Sequence, residues 1–323
     1  MPDALADYLL FLAQGVTVVV LLVALILAVT RFATPRRPAS RLRVKNVNDH
    51  YDRLRDKLAE AVLTKSELKA RRQAAKAVRR IPGRPRVFVL DFTGDLRASR
   101  VGNLREEITA VLGLATPSDE VVVRLTNPGG TVNDQGLAAS QLQRVRQRDI
   151  PLTVCVDTVA ASGGYMMACV ANRIVAAPFA IVGSIGVISA LPNFNRLLDR
   201  LGVDYEQFTG GEFKRTVTMF GRNTDADRAK AGEQVAEIHE LFKDFVHRQR
   251  PQVDLERVAT GEYWYGSDAL GLNLVDELST SDDYLLQARE RGDLFQVSYT
   301  VPLSRIRRLS QTATGQVMKG FGY

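Results

Sequence analysis

The first strong pattern in the chain is apolar. Tyr8 to Thr30 is 23 residues without a charge, interrupted mainly by Gln14 and Thr17. Coiled as a helix at about 1.5 Å per residue, it is long enough to cross a bilayer core of roughly 30 Å. The pattern predicts a short tail over 1–7 and a transmembrane helix over 8–30. Asp3 and Asp7 precede the run, where a cleaved signal peptide would carry Lys or Arg, so it reads as an uncleaved anchor. From Asn46 to Arg80 the pattern thins to a narrow stripe of Val47, Tyr51, Leu54, Leu58, Ala61 and Leu68 on a highly charged helix. That predicts an amphipathic helical stalk, either solvated or paired with a copy of itself as a short coiled coil. Ile81-Pro82-Gly83-Arg84-Pro85 ends it and sets a domain boundary.

From Arg86 the chain alternates between two periods. Val87–Phe92, Glu120–Leu125 and Leu152–Val156 are short apolar runs of the kind that form buried strands, and Arg173–Ala177 and Ala180–Ile188 are further apolar runs. Helical spacing fills Val101–Leu114, Thr131–Gln147, Asn193–Leu201 and Asp225–Arg250, and a shorter helix is expected over 266–272. Such alternation indicates an α/β domain with a buried sheet. A C-terminal strand and a loose basic tail are expected over 291–323, because the end is rich in Ser, Thr, Gly and basic residues.

Charge refines this picture. The net charge is +7, yet residues 31–80 alone hold 16 Lys+Arg against 5 Asp+Glu, so the folded body is slightly acidic. A basic segment directly after an apolar anchor is suited to anionic headgroups, and no nucleic-acid partner is needed to explain it. By the positive-inside rule, it places the N-terminus outside and the bulk in the cytoplasm. The two cysteines, Cys155 and Cys169, sit among apolar neighbours and read as small buried hydrophobes, although a bridge between them stays open. No Cys/His spacing suits a metal, and no cofactor is expected.

The candidate chemistry starts at Ala160-Ala161-Ser162-Gly163-Gly164-Tyr165, where a strand gives way to an apolar helix. A serine there is either an N-cap or a nucleophile placed near free backbone N–H groups. His50, His239 and His247 lie outside any motif and read as surface or packing residues. A lysine can replace histidine as base only when burial keeps it neutral. Lys214, in Thr209-Gly210-Gly211-Glu212-Phe213-Lys214-Arg215-Thr216, is one candidate, although the same residues could form a charged loop. Asn127-Pro128-Gly129-Gly130 could present N–H groups to an oxyanion or be an ordinary turn. Gly183-Ser184-Ile185-Gly186 carries a competing serine without a helix directly after it.

In this order and spacing, the four motifs resemble the S49 serine peptidases, the signal peptide peptidase A group. The anchor and single catalytic copy resemble its bacterial inner-membrane branch. The resemblance implies a ClpP/crotonase-like fold of repeated ββα units over 86–290, preceded by the anchor and stalk. It implies Ser162 as nucleophile, Lys214 as general base, Ser184 orienting the lysine amine, and the N–H groups of Gly130 and Gly163 as the oxyanion hole. It further implies a single-pass inner-membrane protein that acts on extended, apolar peptide or protein substrates. Membrane lipids would be its other partners, and it would work as a homo-oligomer. Family analogy also allows a periplasmic catalytic domain. Two other readings stay open: a catalytically silent membrane scaffold of the same fold, and a crotonase-like acyl-CoA enzyme, which leaves Lys214 without a task.

Overall fold

A computed structural model of the chain describes residues 11–23, 41–78 and 83–301. Residues 11–23 form a helix, α1, whose side chains are exposed; the rest of the apolar run over 8–30 lies outside the described residues. Among the described residues no helix is long and apolar enough to cross a membrane. The expected loose tail after residue 301 also lies outside them.

Residues 42–299 make one compact unit. Strand β1 (Arg41–Asn46) is followed by α2 (Asn48–Val62) and α3 (Lys65–Val78). The chain breaks between them because Thr64 starts a new helix: its N–H and its hydroxyl both donate to Glu67, at 2.8 and 2.7 Å. Helix α2 is not solvated all round, as a free stalk would be. Val47 and Tyr51 pack against Val87, Val89, Leu285 and Ala288, and Arg289 lies over the Tyr51 ring. Leu54, Leu58 and Val62 remain exposed.

The body then runs β2 (Arg86–Thr93), α4 (Val101–Leu112), β3 (Glu120–Thr126), α5 (Val132–Arg146), β4 (Leu152–Val156), β5 (Val159–Ala161) and α6 (Gly163–Ala168). It continues with β6 (Arg173–Ala176), β7 (Ile181–Gly183), α7 (Asn195–Arg200), α8 (Asp225–Gln249), α9 (Leu255–Val258) and β8 (Tyr263–Tyr265). Last come α10 (Gly266–Gly271), β9 (Glu277–Leu278), α11 (Ser281–Arg291) and β10 (Asp293–Thr300). The 25-residue α8 begins with a capping box between Thr224 and Asp227.

Seven strands form one sheet in the order β1-β10-β2-β3-β4-β6-β9, and every pair from β10 to β9 is parallel. Side chains alternate across it with a period of two. Phe88, Leu90, Phe92, Val121, Val123, Leu125, Leu152 and Val154 face the helices α4, α5, α6 and α8. Val87, Val89, Val122, Cys155 and Val175 face α11 and α2. Both faces are covered, which is why β2, β3 and β4 read as almost unbroken apolar runs. Arg250, buried at the end of α8, donates to both oxygens of Asp276 at 2.7 and 2.8 Å and to the Asn273 carbonyl at 2.8 Å.

A second sheet, β5-β7-β8, stands where β3 and β4 end. A parallel bridge between Asn127 and Ala160 ties it to the large sheet. Open α/β sheets form their clefts outside the carboxyl ends of the strands, and this small sheet sits there. The apolar run 180–188 gives only the three residues of β7, because the chain turns at Gly183 and Ser184, both at positive φ.

Candidate active site

Ser162 is the residue between β5 and α6. Its backbone has φ 52° and ψ −119°, a conformation that L-residues rarely hold. Such geometry costs about 1–3 kcal/mol and persists where the surroundings enforce it. Here the Ser162 N–H donates to the Gly183 carbonyl at 2.8 Å, and the Ser162 carbonyl accepts from Met166 at 3.0 Å. Ser162 does hold the N-cap position of α6, but its hydroxyl caps no backbone N–H. The side chain is half-buried and, among the described residues, uncommitted.

The glycines around it are required for two different reasons. Gly129 has φ +99°, and a Cβ there would lie 2.8 Å from Ser162 Cβ and 3.1 Å from the Gly163 nitrogen. Gly130 and Gly163 are required by close approach. A Cβ on Gly130 would meet the Leu96 carbonyl oxygen at 2.1 Å, and one on Gly163 would meet Gln135 Cγ at 2.4 Å. Among the described residues, the N–H groups of Gly130 and Gly163 donate to no atom of the chain. Gly163 follows Ser162 in the chain and Gly130 follows Gly129, which packs on Ser162. Two unspent N–H donors therefore belong to the segments that meet at a serine with a free hydroxyl; an oxyanion needs donors of this kind.

The structure holds the remaining candidates less tightly. Ser184 has φ 50°; its N–H donates to the Glu262 carbonyl at 2.8 Å and its hydroxyl to the Gly261 carbonyl at 3.3 Å. Lys214 is exposed in the segment between α7 and α8, which has no helix or strand, and its N–H donates to the Gly211 carbonyl at 3.2 Å. Among the described residues its amine makes no hydrogen bond or ion pair, so no hydrogen bond joins Lys214 to Ser162. His50 and His247 are exposed, and His239 Nε2 lies 3.2 Å from the Ile185 carbonyl oxygen. No histidine bonds Ser162. A cavity of about 1250 Å³ between residues 189–196 and the start of α8 contains none of the five candidates.

Both cysteines are free, and burial pushes their thiols well above the usual range, so neither is a nucleophile at neutral pH. Tyr165 is fully buried, and its hydroxyl donates to the Leu274 carbonyl at 3.0 Å, which fixes α6 beneath Ser162.

The sequence reading missed Gln135 altogether, and it named Asn127 only as the start of the Asn-Pro-Gly-Gly turn, without its buried role. Asn127 and Gln135 have no exposed surface. The Asn127 amide oxygen accepts from the Gly129 N–H at 3.0 Å, and its amide nitrogen donates to Gln135 Oε1 at 2.8 Å. Gln135 Nε2 donates to the Asp95 carbonyl at 3.0 Å. The available signal was position: Gln135 shares a stripe with the buried Ala138, Ala139 and Leu142 of α5.

Comparison with known proteins bears on these features. The profile of peptidase family S49 matches residues 144–294, and that of the S49 N-terminal region matches residues 3–142. A "Probable protease SohB" of Haemophilus influenzae is 41% identical over 329 residues, which cover 96% of this chain and 93% of that protein. Its namesake from Buchnera aphidicola (subspecies Acyrthosiphon pisum) is 42% identical over 97% of this chain and 95% of its own length. Among solved structures, the 1510-N membrane-bound stomatin-specific protease (K138A mutant, with a substrate peptide) matches 64% of this chain and 80% of its own. Its TM-score is 0.40 and its sequence identity 15%. An α/β domain with a serine at a strained strand-to-helix junction, and S49 sequence along nearly its whole length, belongs to peptidase family S49 and is a serine-type peptidase of that family.

Proposed function

We propose that the chain is a membrane-anchored endopeptidase that works through a Ser162–Lys214 dyad on a ClpP/crotonase-like fold. One observation carries this reading. Ser162 is held at positive φ with its hydroxyl free, where the Gly129 turn packs on it, and the N–H groups of Gly130 and Gly163 are unspent. In the reaction, the Lys214 amine takes the Ser162 proton as Oγ attacks a peptide carbonyl. The tetrahedral oxyanion is held by the Gly130 and Gly163 N–H groups. As it collapses to the acyl-enzyme, the lysine ammonium protonates the leaving amine, and water then hydrolyses the ester with the same lysine as base. Ser184 spends its proton on the Gly261 carbonyl, so its lone pairs are free to accept from the lysine amine and orient it.

A lysine base has to be covered from water, and Lys214 is exposed in the single chain. We infer that a second copy supplies the cover. The stretch from residue 188 to Lys214 exposes Ile188 (94%), Phe208 (91%) and Phe213 (53%), and also Leu201 and Val203. A second copy packed on this stretch would bury these side chains together with Lys214. The uncharged run over 8–30 would anchor the chain in a bacterial inner membrane, with the arginines after it on anionic headgroups. The substrate is an extended apolar peptide presented to Ser162 at the end of β5.

The test is hydrolysis of a fluorogenic apolar peptide by the purified full chain in mixed lipid–detergent micelles. Ser162→Ala loses at least about 10³-fold, and Lys214→Ala about 10²–10⁴-fold, both with unchanged melting temperature and assembly. Wild-type activity in the Ser162→Ala protein would end the reading. The exposure of Lys214 also favours a second reading, a silent scaffold, which predicts no acylation of Ser162 in any assembly state.

A further inference from the structure

We propose that Gln135 is a positioning residue for the oxyanion site, holding the Gly130 and Gly163 N–H groups in one frame. The inference rests on the Ser162 peptidase reading. Gln135 lies in the first turn of α5, where its own N–H donates to the Thr131 carbonyl at 3.0 Å. Its side chain has no exposed surface and reaches three parts of the site. Toward the strand-end loop, Gln135 Oε1 accepts from Asn127 Nδ2 at 2.8 Å, and Asn127 Oδ1 accepts from the Gly129 N–H at 3.0 Å. This fixes the Pro128–Gly129 peptide, one before the peptide that carries the Gly130 N–H. Toward the preceding loop, Gln135 Nε2 donates to the Asp95 carbonyl at 3.0 Å, and the next carbonyl, of Leu96, accepts from Thr131 N–H at 2.8 Å. Toward the helix, the Gln135 methylenes fill the space a Cβ on Gly163 would take, at 2.4 and 2.6 Å.

The residue type follows from these contacts. The site needs an acceptor for Asn127 and a donor for the Asp95 carbonyl, at the end of an apolar stem that packs on Gly163. Glutamine supplies all three. Asparagine is one methylene too short, and methionine keeps the volume but offers no donor. Glutamate keeps the acceptor but, when ionised, turns a negative oxygen toward the Asp95 carbonyl. A protonated glutamic acid restores one donor in nearly the same place.

The experiment compares wild type, Gln135→Met, Gln135→Glu and Ser162→Ala in the full-length protein. Gln141→Met serves as control, since Gln141 is a second buried amide on α5 that does not touch the glycines. The readouts are kcat and KM on a peptide substrate, affinity for the matching peptide boronic acid as a tetrahedral mimic, and melting temperature. Removing one oxyanion donor from other hydrolases costs about 10²–10³-fold. Gln135→Met is therefore expected to lose about 10²-fold in kcat, with KM within about threefold and boronate affinity falling in parallel with kcat. Gln141→Met keeps wild-type kcat. The Gln135→Glu to wild-type kcat ratio rises as pH falls, which a merely structural role would not produce. A folded Gln135→Met protein with kcat and boronate affinity within about threefold of wild type overturns the inference, as does an equal loss in Gln141→Met. If Gln135→Met does not fold, a Gln135→Glu to wild-type ratio that is flat with pH overturns it. Wild-type hydrolysis that survives Ser162→Ala instead overturns the peptidase reading, and this inference with it.

Discussion

Gly129→Ala is the substitution that tests the geometry around Ser162 most sharply. The new methyl would sit 2.8 Å from Ser162 Cβ, where carbon atoms normally pack at about 3.5–4.0 Å. It would also meet the Ala161 carbonyl oxygen at 2.9 Å and the Gly163 nitrogen at 3.1 Å. Relief requires the Gly129 loop and the Ser162 turn to separate by about 0.7–1.2 Å, given those contact distances. At φ +99° an L-residue adds strain of about 1–3 kcal/mol on top of the contact. A misplacement of about 1 Å in a reacting group costs on the order of 10²-fold in rate. The expected outcome is a kcat about 10²-fold below wild type and a melting temperature lower by several degrees. Gly136→Ala is the internal control: the nearest atom to its methyl is Met166 Sδ at 4.0 Å, so kcat should not change. Steady-state hydrolysis and thermal melts on the three proteins give the answer. Gly129→Ala with wild-type kcat would refute the placement of the Gly129 loop against Ser162 as the reacting group.

Two further predictions concern stability. Asp276→Ala leaves the buried Arg250 guanidinium without its carboxylate and should cost about 3–5 kcal/mol, read from chemical denaturation. Glu107 is buried in α4, and burial raises its carboxyl above the ordinary value despite the hydrogen bond it accepts from Tyr299 N–H at 2.7 Å. A raised folded value favours the fold below the unfolded carboxylate pKa and loses that advantage as pH rises through the folded one. Glu107→Gln keeps the acceptor and removes the charge. It should therefore stabilise the protein at neutral pH, with the gain vanishing in acid; a gain that is equal at both would contradict the assignment.

How far the sequence revealed this molecule depended on burial. Strands β2, β3 and β4 were legible because both faces are covered, so Val87 to Phe92 and its counterparts are apolar at nearly every position. Strands β5 and β8 were not, since three residues carry no period, and Val159-Ala160-Ala161 looks like a small-residue turn. Strand β1 was hidden by its cations: Arg43 and Lys45 alternate with exposed Leu42 and Val44 at a sheet edge, where charge guards against stray pairing. At the site, Ser162 and its glycines were visible because close approach and positive φ leave few residue choices. The linking roles of Asn127 and Gln135 were not, because a buried amide is indistinguishable by type from a surface one until the helix is docked. The role of Lys214 came from family resemblance alone, as its local sequence is that of a charged loop.

The proposal makes Ser162 a nucleophile whose reactivity depends on Lys214. The most direct measurement is intact-protein mass spectrometry after exposure to a serine-directed fluorophosphonate probe, with peptide mapping of the adduct. One adduct per chain is expected, located on Ser162, absent from Ser162→Ala and formed about 10²–10⁴-fold more slowly in Lys214→Ala. An adduct on another serine, or equal labelling rates in wild type and Lys214→Ala, would contradict it.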